Sequence, residues 1–164
     1  MIMFKSYDYV TDNALLREMP LRLIDQVEIR ATLGENPNEA LCCAAKVSDF
    51  CELVFHDGEL LAVYGVVGAP GAEYGIPWMV CTEHVYEHKT VLLRWTKTLI
   101  KQVRERGHRV LFNYVSAINI DCIEWLEWLG FTVDRATFMF FQDPNLPFHF
   151  FSWKKEDELC VSRH

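Results

Sequence analysis

Glycine is scarce in this chain, eight among 164 residues, and never falls into GxxxxGK[ST] or Gly-x-Ser-x-Gly spacing. That excludes a phosphate loop of the NTPase type and a hydrolase nucleophile elbow. Positive charge is also short: 16 Lys and Arg stand against 23 Asp and Glu, a net charge of −7 with no basic block. Duplex nucleic acid is therefore not an expected partner. No apolar run approaches the roughly 20 residues that span a bilayer, and the first residues have no signal-peptide pattern. Six cysteines (Cys42, Cys43, Cys51, Cys81, Cys122, Cys160) contain no CxxC pair and no zinc-like spacing with histidine. They read as reduced, mostly buried thiols in a cytosolic setting, with no metal site expected. His84 and His88 stand four apart, but HExxH and a third ligand are both missing. Internal repeats and obvious linkers are absent, so residues 1–153 read as one domain and 154–164 as a charged tail.

What the chain does have is apolar weight. Apolar residues make up 51% of it, which excludes a disordered protein. The most informative stretch is Arg109 to Phe131. Val110, Leu111, Phe112, Tyr114 and Val115 form a β-favouring run suited to a strand covered on both faces. Asn119 suits a helix N-cap, Ile123, Leu126 and Leu129 recur at helical spacing, and Gly130 suits a left-handed C-terminal cap before the strand that Phe131 begins.

Upstream, residues 1–10 read as a first strand. Thr11-Asp12-Asn13 reads as a cap for a short helix that stops at Pro20, and Leu21 to Leu33 as a second helix facing inward through Leu23, Ile24, Val27 and Ala31. A third helix runs from about Glu39 to Val47. Asp57-Gly58 between two apolar runs predicts a type I′ hairpin. Ile76 to Cys81 predicts a strand that Pro77 places at an edge or bulge. The longest helix is expected from Glu87 to Arg106, its buried stripe being Leu92, Trp95, Thr96, Leu99, Ile100 and Val103. Thr137 to Gln142 and Pro147 to Trp153 predict a final aromatic hairpin. A helix between Cys81 and Arg109 makes its flanking strands a right-handed parallel pair. The class is α+β: a mixed, mostly antiparallel sheet flanked by helices.

This order resembles the acyl-CoA-dependent N-acyltransferase (GNAT) fold, most sharply in Asn119-x-x-Cys122-Ile123-x-Trp125-Leu126-x-x-Leu129-Gly130-Phe131. Within it, Pro77-Trp78-Met79-Val80-x-Thr82-x-x-Val85, Leu111-x-Asn113-Tyr114-Val115 and Asn119-x-x-x-Ile123 resemble the internal virion protein A family of short-tailed phages. The resemblance implies a cytoplasmic location in a host, association with the virion, and virion components as partners. It also says what an active acetyltransferase should carry. A Gly-rich turn into the long helix cradles the coenzyme pyrophosphate, yet Thr82 to Thr90 holds no glycine and adds Glu83 and Glu87. A Tyr on the last helix commonly reprotonates the departing thiolate, yet Leu126 holds that position.

Two readings follow. In the first, the protein has lost acetyltransferase activity, needs no cofactor and acts by protein contacts in virion assembly. Trp125, Trp128, Phe148, Phe150 and Phe151 would then form the interface, since aromatics anchor such surfaces. A second copy of the chain stays open as a partner. In the second, an active N-acetyltransferase binds acetyl-CoA through Val80, Val85, Lys89, Thr90 and Asn119, with Glu83 as base. Cys81 and Cys122 read as buried fillers, not activated thiolates.

Overall fold

A computed structural model describes residues 1–34 and 36–156. The chain folds as β1 (Ile2–Ser6), α1 (Tyr9–Arg17), α2 (Leu23–Leu33), α3 (Pro37–Val47), β2 (Phe50–His56), β3 (Glu59–Val67), β4 (Tyr74–Cys81), α4 (Lys89–Glu105), β5 (Val110–Ser116), α5 (Ile120–Trp128), β6 (Thr132–Val133) and β7 (Phe148–Lys154). A single turn of 3₁₀ helix, Glu83–Tyr86, precedes α4. One seven-stranded sheet takes the order β1-β2-β3-β4-β5-β7-β6. All neighbours are antiparallel except β4 and β5, the parallel pair expected from the α4 crossover. No helix among the described residues is long and apolar enough to cross a membrane. Most of the proposed tail, 157–164, lies outside the described residues.

Helices cover both faces. On one, Trp95, Leu99 and Val103 of α4 and Ile123 and Leu126 of α5 pack against Val54, Tyr64 and Val66. On the other, Leu16 and Met19 meet Leu41 and Ala45 of α3 over Leu53 and Val63. A third cluster joins Ala31 of α2 to Leu146 and Phe148. The β2–β3 hairpin turns at Asp57 (φ 48°) and Gly58 (φ 84°), the two positive φ values a type I′ turn needs. Asn119 caps α5 by accepting from the Cys122 N–H at 3.3 Å, and Gly130 (φ 97°) ends it.

Five expectations need correction. The first strand stops at Ser6, because Asp8 already caps α1 by accepting from the N–H groups of Val10 and Thr11. Asp12, expected in that cap, is buried instead and takes the Lys5 ammonium and the Asp8 N–H. Leu23 does not face inward: it is 68% exposed, while Asp25 and Ala31 on the same helix are buried. Pro77 lies in an interior strand, since β4 sits between β3 and β5. That position tolerates proline because β4 and β5 pair only at Tyr74–Val110 and Gly75–Leu111 and then part. The Pro77 carbonyl accepts from Asn113 Nδ2 of β5 at 2.9 Å. A strand residue's N–H and C=O point to one side, so the missing donor falls in the gap. Finally, residues 137–142 form no strand. Their backbone pairs with β7 in one bridge, Met139 to Phe148, and the strand on that edge of β7 is the two-residue β6.

Gly65 shows how tightly the N-terminal half is packed. A Cβ there would lie 2.7 Å from the Phe50 carbonyl oxygen and 2.9 Å from the Trp78 ring. Gly65→Ala is expected to cost about 1–3 kcal/mol, read as a lower urea midpoint with an unchanged m-value.

Candidate functional site

The parting of β4 from β5 opens a cleft of about 500 Å³ between the two strands, with α2 over it on one face of the sheet and α4 and α5 on the other. Strand alternation turns the backbone of residues 77, 79 and 81 towards it. The far end of the β4 edge is already in use. The Cys81 N–H donates to Asp25 Oδ2 at 3.0 Å, and the Cys81 carbonyl accepts from the Arg22 N–H at 3.0 Å. Leu21 makes a bridge to Thr82 alongside. The head of α2 has thus laid itself along the open strand.

Two carboxylates one helical turn apart hold it there. Asp25 faces β4 and is gripped by Arg22, whose Nε and Nη2 each donate at 2.9 Å. Glu28 faces β5: its Oε1 accepts from Ser116 Oγ at 2.6 Å, the Ser116 N–H at 3.2 Å and Asn119 Nδ2 at 3.0 Å. Burial pushes the Glu28 carboxyl above its ordinary range despite those three donors. The neighbouring Asp25 raises the Arg22 guanidinium further above its usual value, against the pull of burial. Sequence reasoning missed Arg22, Asp25, Glu28 and Ser116. Treating Leu23 and Ile24 as the buried stripe turned both carboxylates outward, and the signal available was their i,i+3 spacing with Ala31 three residues on.

Of the residues expected to hold a coenzyme, Val80, Val85, Lys89 and Asn119 all line this cleft, whereas Thr90 does not. The turn into α4 spends its donors on itself. Val85, Glu87 and His88 give their N–H groups to the carbonyls of Thr82, His84 and Val85. The opening of α4 carries no side-chain cap, so the Lys89, Thr90 and Val91 amides lack helical partners. Glu83, the residue expected as base, stands outside the cleft and accepts from the Leu23 N–H at 3.3 Å, a helix-capping contact. Burial pushes the Cys81 thiol up to about 12 and raises Cys122 above the thiol range, so neither is an activated nucleophile. Among the described residues no three His, Cys, Asp or Glu side chains converge on a metal position.

The aromatic residues divide. Phe148 (2% exposed) and Phe151 (7%) belong to this chain's own core, on opposite faces of β7 as alternation requires, so neither can serve as the interface expected of it. Phe150 is half-buried against Phe112 and Tyr114. Trp125 lines the cleft, and its Nε1 is buried without a partner among the described residues. Trp128 is 48% exposed with the Lys97 ammonium 4.6 Å above its ring. The exposed aromatics nearby are Phe138 and Phe140, in the segment that did not become a strand.

No protein-family model matches the chain, and no curated protein matches it in sequence. Solved structures do match in shape. A protein of Acinetobacter baylyi assigned as an acetyltransferase superposes with a TM-score of 0.70 at 16% identity, covering 94% of this chain and 93% of its own. A Salmonella typhimurium protein assigned the same way, solved with acetyl-CoA, gives 0.66 at 14% over 96% of each chain. The ribosomal-protein-S18-alanine N-acetyltransferase of Escherichia coli gives 0.64 at 16% over 97% and 98%. At these identities the likeness shows the fold, which is that of the GNAT acetyltransferases.

The raised Glu28 carboxyl gives a pH test with a defined sign. An acid whose folded pKa lies above its unfolded value binds more protons when folded, so its contribution to stability falls as pH rises from about 4.5 through the folded value. Glu28→Gln keeps an acceptor for Ser116 and Asn119 without the charge. We expect its stability at neutral pH to equal or exceed the parent's, with a flatter decline between pH 4.5 and neutrality. Glu28→Leu strands three donors and should cost about 2–3 kcal/mol. Urea titrations across that pH range decide both.

Proposed function

We propose that this is a GNAT-fold protein that works by contacts with other protein chains and whose coenzyme slot is closed by its own second helix. The observation that carries the reading is Cys81, both of whose cleft-facing backbone groups are taken by Asp25 and Arg22. An acyl-pantetheine arm is an extended, amide-bearing chain, and it would enter such a cleft by adding to the β4 edge as a strand. Cys81 has no donor or acceptor left on that edge, and Pro77 has no donor and a carbonyl committed to Asn113. The internal N–H bonds of the 83–88 turn act in the same direction, because they remove amides that a pyrophosphate would need. On this reading the residues along the β4 edge do not fit the coenzyme. The virion role follows the sequence resemblance to phage internal virion proteins, with a cytoplasmic location before assembly and other virion proteins as partners.

One observation favours the second reading, an acetyltransferase with an unusual coenzyme turn. The cleft is open, and Val80, Val85, Lys89 and Asn119 meet in it. In that case Glu28 replaces Glu83 as the carboxylate nearest the reacting centre.

Calorimetric titration with acetyl-CoA separates the two. The expected result is no heat up to millimolar ligand, in the parent chain and in Lys89→Ala alike. Micromolar binding that weakens in Lys89→Ala would overturn the proposal and direct attention to amine substrates.

A further inference from the structure

Across the sheet from the α2 roof lies a second concavity, a shallow groove of about 620 Å³ between α4 and the α5–β7 side. In a chain of net charge −7 its lining is mainly cationic: Lys97, Lys101, Arg104 and Lys155 against one carboxylate, Glu105, with Trp128 and Trp153. The internal compensation is slight. Lys101 reaches Glu105 at 3.7 Å in an exposed i,i+4 pair, which is worth little. Arg104 gives one Nη2 bond to the Leu129 carbonyl at 2.9 Å, and its Nε is buried with no partner among the described residues. Burial lowers the Arg104 guanidinium below its ordinary value, as expected of a cation without a counter-ion. Among the described residues no carboxylate pairs with Lys97, Arg104 or Lys155. Glu127, the acid on α5 beside Trp128, is taken by Arg135.

We infer that this groove binds a short, extended acidic segment of a partner protein. The spacing fits. Lys97 and Lys101 are separated by about 6 Å along the helix axis, and alternate residues of an extended chain by about 6.7 Å, so every second carboxylate can meet a successive cation. Arg104, a further turn on, adds a planar donor fork that suits carboxylate. Single-stranded nucleic acid fits less well. Its bases need open ring faces, and here Lys97 covers Trp128 at 4.6 Å while Arg104 covers Trp153 at 4.9 Å. This deepens the reading of a protein that works by contacts and rests on it, yet the two fail separately. Acetyl-CoA binding would overturn that reading and leave the groove untouched.

The test is fluorescence anisotropy of the full chain against a labelled peptide of alternating Glu and Gly, with a thymidine oligonucleotide of equal charge as comparator. The expected result is saturable peptide binding that weakens about tenfold between 50 and 200 mM salt. It should weaken by about tenfold or more in the double variant Lys97→Glu with Lys101→Glu. Both lysines are exposed, so circular dichroism of the variant should match the parent. No saturation at millimolar peptide, or binding indifferent to the double variant, would overturn the inference. Tighter binding of the oligonucleotide than of the peptide would overturn it in favour of a nucleic acid.

Discussion

Beyond Gly75 the middle of the sheet has no backbone ladder, and two carboxylates on α2 stand in for it. Asp25 ties the helix to β4 and Glu28 ties it to β5. A hydrogen bond to a charged group is generally worth about 1.5–3 kcal/mol, more than a ladder bond, although burial of the Glu28 carboxyl takes back part of that gain. Much else depends on that clasp. It brings Leu21 beside Thr82 and sets the Leu23 N–H within reach of Glu83. It also fixes the roof of the cleft, which makes α2 both a structural brace and the element that decides what can enter.

The clasp is a compromise between two demands. A strand that parts from its neighbour leaves buried N–H and C=O groups that must find partners. A ligand can supply them, or the chain can. Here Cys81 is served by the chain on both its groups, and Pro77 reduces the demand by carrying no N–H. Asn113 completes the arrangement by bonding the Pro77 carbonyl while accepting from the Tyr114 N–H at 2.8 Å. Glu28 carries the cost, since a carboxylate sits in surroundings that favour its protonated form.

The elements were legible wherever local chemistry and tertiary packing agreed. Asp57-Gly58, Asn119 and Gly130 each impose a backbone geometry that no packing overrides, and each did so. The buried stripe of α4 was legible because Trp95, Leu99 and Val103 recur with the helix period and no charged residue interrupts them. Two kinds of signal misled. The Phe138–Gln142 run is aromatic enough for a strand, but it ends up over Tyr114 and Phe148 by ring contacts instead of joining the ladder. In α2 the apolar residues mark the buried side only in part: Ala31 is buried with Val27 beside it, but Leu23 is exposed, and the carboxylates of Asp25 and Glu28 reach inward on a face the apolar pattern does not show. The candidate site was only half readable for that reason: Val80, Val85, Lys89 and Asn119 lie on elements with clear patterns, whereas Arg22, Asp25 and Glu28 become meaningful only beside Cys81 and Ser116.

The brevity of the β4–β5 pairing has a consequence for cooperativity. Two residue pairs join a four-stranded leaf, β1 to β4, to a three-stranded leaf, β5, β7 and β6. Each leaf has its own antiparallel ladder, whereas the core under α4 and α5 runs across both, so the two leaves are joined at the centre of the sheet by side-chain packing far more than by backbone pairing. The bolts across that junction are α2 and the packing of α4 against both leaves. A perturbation that loosens α2 therefore acts first where the backbone pairing is thinnest, and the interior it uncovers is the cleft itself.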